Sequence, residues 1–327
     1  MDASTSRTPV ETDSQPCVLA LDVGGTGMKG AVLDRSMRQV ASLHRPTPRS
    51  QGPDAVVDGI ADALLTLEGL AAERGLRVRH AGVVVPGIVD EGLQRAVWSA
   101  NIGWRDLPLA AVLTARTGLP VALGHDVRAG GAAECLLGAA RTYKDVLFVA
   151  IGTGIAAALV CDGRPVRSGG FAGELGHVAV RADTVCACGG RGCLETVASA
   201  YAVATAYAER SGRPVAGAAE VAAFVEDGDP TARTVWNRAV RGLTEALAAA
   251  TTLLAPDLIV LGGGLAEADR TLLDPLREGL DARLTFQRAP VLVRAGLGDR
   301  AGCLGAGLTA WEAAGHHLSP FDRSSVS

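Results

Sequence analysis

The sequence predicts an α/β protein built from two related domains, and three observations lead to this fold class. Its 327 residues are roughly twice the usual length of a single domain. Apolar strand-like runs alternate along the chain with segments of helical periodicity. The first half contains a strand, a glycine turn and a second strand that ends at Asp34. The same pattern recurs in the second half, where the second strand ends at Asp162. We therefore expect a duplicated α/β fold.

The composition excludes several other classes of protein. Hydrophobic residues make up 48% of the chain and charged residues 20%, which is typical of globular rather than disordered proteins. The formal net charge is −4 and no basic stripe stands out, so we expect no nucleic-acid partner. The sequence contains neither a signal-like N-terminus nor a long apolar stretch, so we expect a cytoplasmic location and no membrane partner.

The first copy begins after residues 1–16, which are expected to form a disordered tail. Runs at 17–23, 29–34 and 38–45 predict three strands, and helical spacing at 54–74 predicts a helix. Two more strands are predicted at 80–85 and 121–124. The last of these leads into a predicted helix over 127–139.

The second copy begins with two strands within residues 146–162, joined at a Gly-Thr-Gly turn. Helices are predicted at 196–210, 230–254, 272–284 and 302–314, strands at 257–261 and 291–295, and a disordered tail at 316–327. We assign 17–124 together with 300–315 to a small N-terminal domain, and 125–299 to a large C-terminal domain.

Three glycine-rich turns each follow an apolar strand: Asp22-Val-Gly-Gly-Thr26 with Lys29 beyond it, Gly152-Thr-Gly154 and Gly262-Gly-Gly264. Backbone amides in such turns can converge on phosphate oxygens, and Asp22 could hold a water on Mg²⁺. Tight hairpin turns are the alternative interpretation of each one alone. The three together favour a nucleotide site, although neither a P-loop nor a dinucleotide fingerprint is present.

A second group of residues has the composition of a zinc site. Cys186, Cys188 and Cys193 follow His177 closely, and a Cys₃His set is typical of closed tetrahedral zinc sites with a structural role. Such an ion would hold His177, Glu174 and Glu195 around one pocket. Three buried free cysteines are the alternative, which the polar, glycine-rich surroundings disfavour.

Asp126 is the candidate for the reacting acid. It lies where an apolar strand ends and a helix begins, which is where α/β sheets place reacting groups. From its position alone, Asp126 could equally be the N-cap of that helix.

Together these residues resemble the ROK family of sugar kinases and sugar-responsive repressors, within the actin-like, hexokinase-type ATPase superfamily. The resemblance is most specific in Glu174-x-Gly-His177 followed by Cys186-x-Cys188-Gly-x-x-Gly-Cys193-x-Glu195. It implies duplicated actin-like (ribonuclease H-like) ATPase domains with a cleft between them and a zinc-binding loop over residues 177–195.

The resemblance also implies a role for each motif. Asp126 would be the general base that takes the proton from the sugar hydroxyl. The sugar would be held by Gly87, Asn101, His125, Asp126, Glu174, His177 and Glu195. The ATP phosphates, with Mg²⁺, would be held by Asp22, Gly24, Gly25, Thr26, Lys29, Gly152, Thr153 and Gly154. Adenosine would lie against Gly262, Gly263 and Gly264, and Zn²⁺ would be bound by His177, Cys186, Cys188 and Cys193.

Two positions depart from the family pattern. His125 replaces the usual Asn before the catalytic Asp, and Ala156 replaces the last glycine of the second phosphate turn.

The resemblance implies ATP-dependent phosphorylation of a hexose, with glucose and its 6-hydroxyl expected first. N-acetylmannosamine, N-acetylglucosamine or another hexose is the alternative, and a sugar-sensing regulator with weak or no kinase activity is the alternative of another class. The resemblance to the family also implies a homodimer or a homotetramer.

Overall fold

The computed structural model describes residues 14–180 and 184–316 of the chain. Apart from residues 14–16 and 316, the two predicted tails lie outside the described residues, and Pro16 already belongs to the first strand. The first half of the described chain forms β1 (Pro16–Val23), β2 (Gly27–Leu33), β3 (Gln39–Pro46), α1 (Pro53–Ala72), β4 (Arg77–Val85), β5 (Ile88–Asp90), β6 (Arg95–Trp98), β7 (Arg105–Leu107), α2 (Leu109–Thr117), β8 (Val121–His125) and α3 (Asp126–Leu137).

The second half repeats this alternation of strands and helices. It forms β9 (Val146–Ile151), β10 (Ile155–Cys161), β11 (Arg164–Pro165), α4 (Glu195–Ala198), α5 (Ala200–Ser211), α6 (Ala218–Glu226), α7 (Pro230–Leu254), β12 (Leu258–Gly262), α8 (Arg270–Asp281), β13 (Val291–Arg294) and α9 (Ala301–Ala313).

Two five-stranded sheets share one plan. Their strand orders are β3-β2-β1-β4-β8 and β11-β10-β9-β12-β13, and β5, β6 and β7 form a small third sheet. In both large sheets three antiparallel strands come first in the chain, and two parallel strands follow. The first of these two, β4 or β12, lies beside the first strand of the copy, and the second, β8 or β13, lies beyond it. The repeated topology confirms the duplicated α/β fold.

The helix predicted over 196–210 is two helices, so that prediction is wrong near its start, at Ser199. Ser199 has an extended backbone, and its hydroxyl oxygen accepts a hydrogen bond at 3.1 Å from the N–H of Ala202. A serine that caps the following helix gains this bond only by leaving the helical conformation itself. The interruption separates α4, which carries Glu195, from α5.

The closing helix α9 packs on the first sheet although it comes last in the chain. Ala306, Ala310 and Trp311 are buried against Val18 and Val84 of β1 and β4. The helix α3 contacts α9 as well as β9 and β10, and therefore connects the two large sheets. The domain boundaries assigned from the sequence stay a prediction.

The helices of the described residues are amphipathic or short. None of them offers the length of apolar surface that crossing a bilayer requires.

Candidate active site

The candidate residues of the first half lie at the carboxyl ends of three parallel strands. Asp22 near the end of β1 pairs with Val84 of β4, and Val85 pairs with His125 at the end of β8. The pairing brings the Asp22 turn, the Gly87 turn and Asp126 to one edge of the sheet. Ligand sites of open α/β sheets form at this edge.

The two glycine turns of the second half are also neighbours. Gly262 at the end of β12 pairs with Ala150 of β9, just before the Gly152 turn. Gly263 has a φ of 81°, and a Cβ at that position would lie 2.5 Å from the carbonyl oxygen of Ile151. Only glycine combines this backbone conformation with so close an approach, so the triglycine turn rests against the end of β9.

A cleft of about 360 Å³ brings together eleven of the residues expected to bind sugar or phosphate. They are Gly25, Gly87, Asn101, His125, Asp126, Gly152, Thr153, Gly154, Glu174, His177 and Glu195. Asp22, Gly24, Thr26, Lys29 and Gly262 to Gly264 are not among its lining residues. Ala187 and Cys188 also line it, so the cysteine-rich loop forms part of the wall.

The helix after the candidate base is capped by His125, not by Asp126. The Nδ1 atom of His125 accepts a hydrogen bond at 3.2 Å from the N–H of Arg128. Asp126 is the first residue of α3, and its Oδ1 accepts a 2.7 Å bond from the N–H of Val127. The N-cap interpretation of Asp126 is therefore wrong, and its carboxylate is 26% exposed at the cleft.

His125 is buried, yet its second ring nitrogen faces the candidate base. Its side chain is 5% exposed, and Nε2 lies 3.5 Å from Oδ1 of Asp126. Burial lowers the pKa of His125, which the charge of Asp126 partly opposes. A neutral ring keeps the Nδ1 lone pair that caps α3, so the proton is on Nε2.

Glu195 is held in place by the second glycine turn. Its Oε2 accepts a 2.8 Å hydrogen bond from the N–H of Ile155. A Cβ at Gly154 would lie 2.5 Å from that same oxygen. A side chain at 154 would therefore force the Glu195 carboxylate to move away from its present position.

Glu174 and His177 face each other in the cleft. Nε2 of His177 lies 3.9 Å from Oε2 of Glu174, and both side chains are about one-third exposed. Burial raises the pKa of Glu174, and the charges of His177 and Arg128 oppose this shift. The nearby carboxylates of Glu195 and Asp126 add to it. The cleft thus concentrates negative charge next to a ring nitrogen.

The four candidate zinc ligands form one compact cluster. Their ligand atoms all lie within 4.8 Å of one another. Sγ of Cys188 lies 3.7 Å from Sγ of Cys193, and Sγ of Cys186 lies 3.8 Å from Nδ1 of His177. Tetrahedral Zn–S bonds of about 2.3 Å place two sulfurs about 3.8 Å apart. The chemistry and spacing of the donors therefore fit zinc, with Nδ1 of His177 toward the metal and Nε2 toward the cleft.

Asp22 and Lys29 lie on neighbouring strands behind the first turn. Burial, followed by the charge of Asp126, raises the pKa of Asp22 to about 7, while Lys29 opposes the shift. The Nζ of Lys29 forms an ion pair at 2.9 Å with Asp299, a residue 270 positions later. Lys29 therefore contacts the turn just before the closing helix α9 and is not a lining residue of the cleft.

A charged group behind the candidate base was not predicted from the sequence. The buried Arg128 donates to Oε1 of Glu91 at 3.0 Å and to the carbonyl oxygens of Val89 and Gly170. Oε2 of Glu91 also pairs with Arg167 at 2.7 Å. A single arginine in an otherwise alanine- and glycine-rich helix was the available signal.

Two further lining residues, Trp98 and Ser99, were also missed. Trp98 is the last residue of β6, and Ser99 follows it on the way to Asn101. Ser99 is 2% exposed, and its hydroxyl has no hydrogen-bond partner within the described residues.

Comparison with known proteins identifies the family. The sequence model described as the ROK family matches residues 18–312. This chain belongs to the ROK family. A glucokinase of Streptomyces coelicolor is 29% identical over 311 residues, covering 88% of this chain and 95% of the relative. An N-acetylmannosamine kinase of Salmonella typhimurium is 32% identical over 301 residues, covering 89% and 97%.

Among solved structures, a ROK hexokinase from Thermus thermophilus matches this fold with a TM-score of 0.78. It is 34% identical in sequence, and the match covers 91% of this chain and 99% of that one. Fold and sequence therefore agree with the resemblance drawn from the motifs.

Proposed function

We propose that this chain is an ATP-dependent kinase that phosphorylates a hexose, with Asp126 as the general base. One observation carries the proposal: Asp126 shares a single cleft with Glu174, His177, Glu195 and the two phosphate-type turns. Membership of the ROK family, with sugar kinases among its relatives over nearly the whole chain, supports it.

The role of Asp126 follows from its surroundings. A sugar hydroxyl has a pKa far above 7, so attack on phosphorus needs a proton acceptor as the new bond forms. Because His125 caps the helix, the Asp126 carboxylate remains available on the cleft side. Phosphoryl transfer otherwise depends on alignment and on neutralising the phosphate oxygens.

The sugar would be held on the opposite wall. Glu195 is oriented by the N–H of Ile155, and Glu174 faces the ring of His177. Carboxylates accept hydrogen bonds from hydroxyl pairs, while Nε2 of His177 can donate when Nδ1 is bound to zinc. Glucose is the substrate that we expect first. N-acetylmannosamine is the second, because this chain is about as similar to an N-acetylmannosamine kinase as to a glucokinase.

The glycine turns would hold the phosphates through specific amides. The N–H of Gly24 already bonds the oxygen of Gly27 at 2.8 Å, and that of Gly152 bonds the oxygen of Gly154 at 2.9 Å. Phosphate contacts therefore fall to the next amides, at Gly25 and Thr153. Bound Mg²⁺ would supply positive charge for the phosphate oxygens. The pKa of Asp22 is raised, and a cation nearby would favour the ionised form of this carboxyl group.

The zinc loop would act as structural support. Its closed donor set leaves no position for substrate, so the ion would fix His177 and, through the short connection from Cys193, Glu195.

The test is a coupled assay of ADP formation with Mg²⁺-ATP and a panel of glucose, mannose, N-acetylmannosamine and N-acetylglucosamine. We expect turnover with at least one hexose, and NMR of the product identifies the phosphorylated hydroxyl. The proposal would be contradicted if zinc-loaded protein binds both ATP and a hexose but forms no ADP with any sugar of the panel.

A further inference from the structure

A second cavity, of about 180 Å³, lies between α5 and α7 and shares no lining residue with the cleft. Three arginines line it, namely Arg210, Arg238 and Arg241, together with Thr196 and Thr234. No Asp or Glu is among its lining residues, although the chain has 35 acidic and 31 basic residues. The cavity is therefore a concentrated positive site on a protein of net negative charge.

The three guanidinium groups lack the carboxylate partners that some other arginines in this part of the chain have. Within the described part of the chain, none of them forms an ion pair or a side-chain hydrogen bond. By contrast, Arg277 pairs with Asp274 at 2.7 Å, and Arg283 pairs with Glu245 at 3.1 Å. The donors of the cavity arginines are thus free to bind a ligand.

Helical geometry keeps these charges together. Thr234, Arg238 and Arg241 follow each other at helical spacing along one face of α7, and like charges this close repel. The threonine hydroxyls already donate to the carbonyl oxygens of Pro230 and Cys193, at 2.8 and 2.7 Å. The arginines must therefore supply the donors to any bound anion.

We propose that this cavity binds a phosphate-type oxyanion. Guanidinium groups bind phosphate oxygens in pairs, and three of them around one small cavity match the charge and the many acceptors of a phosphoryl group. The group could come from free phosphate, from a phosphate chain or from a hexose phosphate.

The cavity also adjoins the cleft along the chain. Thr196 and Val197 line it and directly follow Glu195, which reaches into the cleft from the same short helix. An occupant of the arginine cavity therefore lies beside the element that orients Glu195.

The test is calorimetric titration of the full chain, without Mg²⁺ and at constant ionic strength, with inorganic phosphate, tripolyphosphate and glucose 6-phosphate separately. The wild type is compared with a double variant, Arg238→Gln with Arg241→Gln. The matched control is Arg233→Gln, which removes an exposed arginine of α7 outside the cavity. Binding shared by all three proteins belongs to the cleft.

For at least one probe, we expect affinity to fall at least about tenfold in the double variant, because charged hydrogen bonds are lost. The control should bind as the wild type does. The probe with the largest difference identifies the source of the phosphoryl group. If the double variant does not fold, the variant Arg210→Gln, which changes an exposed side chain of α5, must show the loss of affinity. Absence of any difference from the wild type for all three probes overturns the proposal.

Discussion

Replacing Asp126 by asparagine should abolish most turnover while leaving the fold intact. The side chain is not the cap of α3, because His125 has that role at 3.2 Å from the N–H of Arg128. Its one hydrogen bond in the described structure, from the N–H of Val127 at 2.7 Å, can be accepted equally by an amide oxygen. The substitution therefore removes the proton acceptor and little else.

The expected effects on rate and on stability are very different in size. A positioned general base contributes at least about 10²-fold, which corresponds to about 2.7 kcal/mol in the activation barrier. The free energy of unfolding should change by less than about 1 kcal/mol, since the backbone hydrogen bond is retained. Such a change moves the melting temperature by less than about 4 °C.

The assay combines three measurements on the same protein. The value of kcat is obtained from ADP formation, stability from thermal melting, and the Kd for sugar from tryptophan fluorescence, for which Trp98 in the cleft wall is the reporter. His125→Asn is the matched control for stability, because it places an amide at the neighbouring position and asparagine is also a good N-cap. Turnover of the Asp126→Asn protein near the wild-type rate would refute the assignment of the base. Loss of sugar binding or of folding in the same protein would refute the prediction that Asp126 serves catalysis and not sugar affinity or stability.

Three further predictions follow from the cleft wall and the zinc loop. Purified protein should hold one zinc per chain by elemental analysis, and Cys188→Ser should lose both the metal and sugar affinity; active protein without zinc would exclude the site. Gly154→Ala should raise the KM for sugar about tenfold because the new Cβ displaces Glu195. Gly152→Ala, whose Cβ meets no atom within 4 Å, should leave that KM unchanged, and equal values for the two variants would contradict the explanation. His125→Asn should change the ranking of hexoses by kcat/KM, by about 1–3 kcal/mol for the most affected pair.

One more prediction concerns the dependence of stability on pH, and its sign follows from the pKa of His125. Burial lowers the pKa of folded His125 below its usual value of about 6.5, so the unfolded chain takes up the proton first. The stability that neutral His125 contributes is complete above that value and is lost as pH falls through the folded pKa. In urea unfolding, the wild type should therefore lose more stability than His125→Asn between about pH 7 and about pH 5. Parallel pH profiles for the two proteins would show that the cap does not depend on the neutral ring.

Much of this protein could be predicted from local sequence. The duplication, the three glycine turns and the four zinc ligands each lie within a short stretch, where spacing alone constrains geometry. Asp126 could be chosen as the candidate base because a strand end next to a helix start is visible in the residue pattern. These features depend on contacts between residues close in the chain.

Other features depended on tertiary contacts between distant segments. Glu195 meets the N–H of Ile155 across 40 residues, and Lys29 meets Asp299 across 270, so no local pattern could predict either contact. His125 and Asp126 compete for one capping position, and only the packing of β8 beside β4 decides which side chain turns to the helix and which to the cleft. The sequence by itself determined which residues could do the chemistry. The tertiary structure decided which of them meet, because side-chain direction is set by burial and by hydrogen-bond partners far away in the chain.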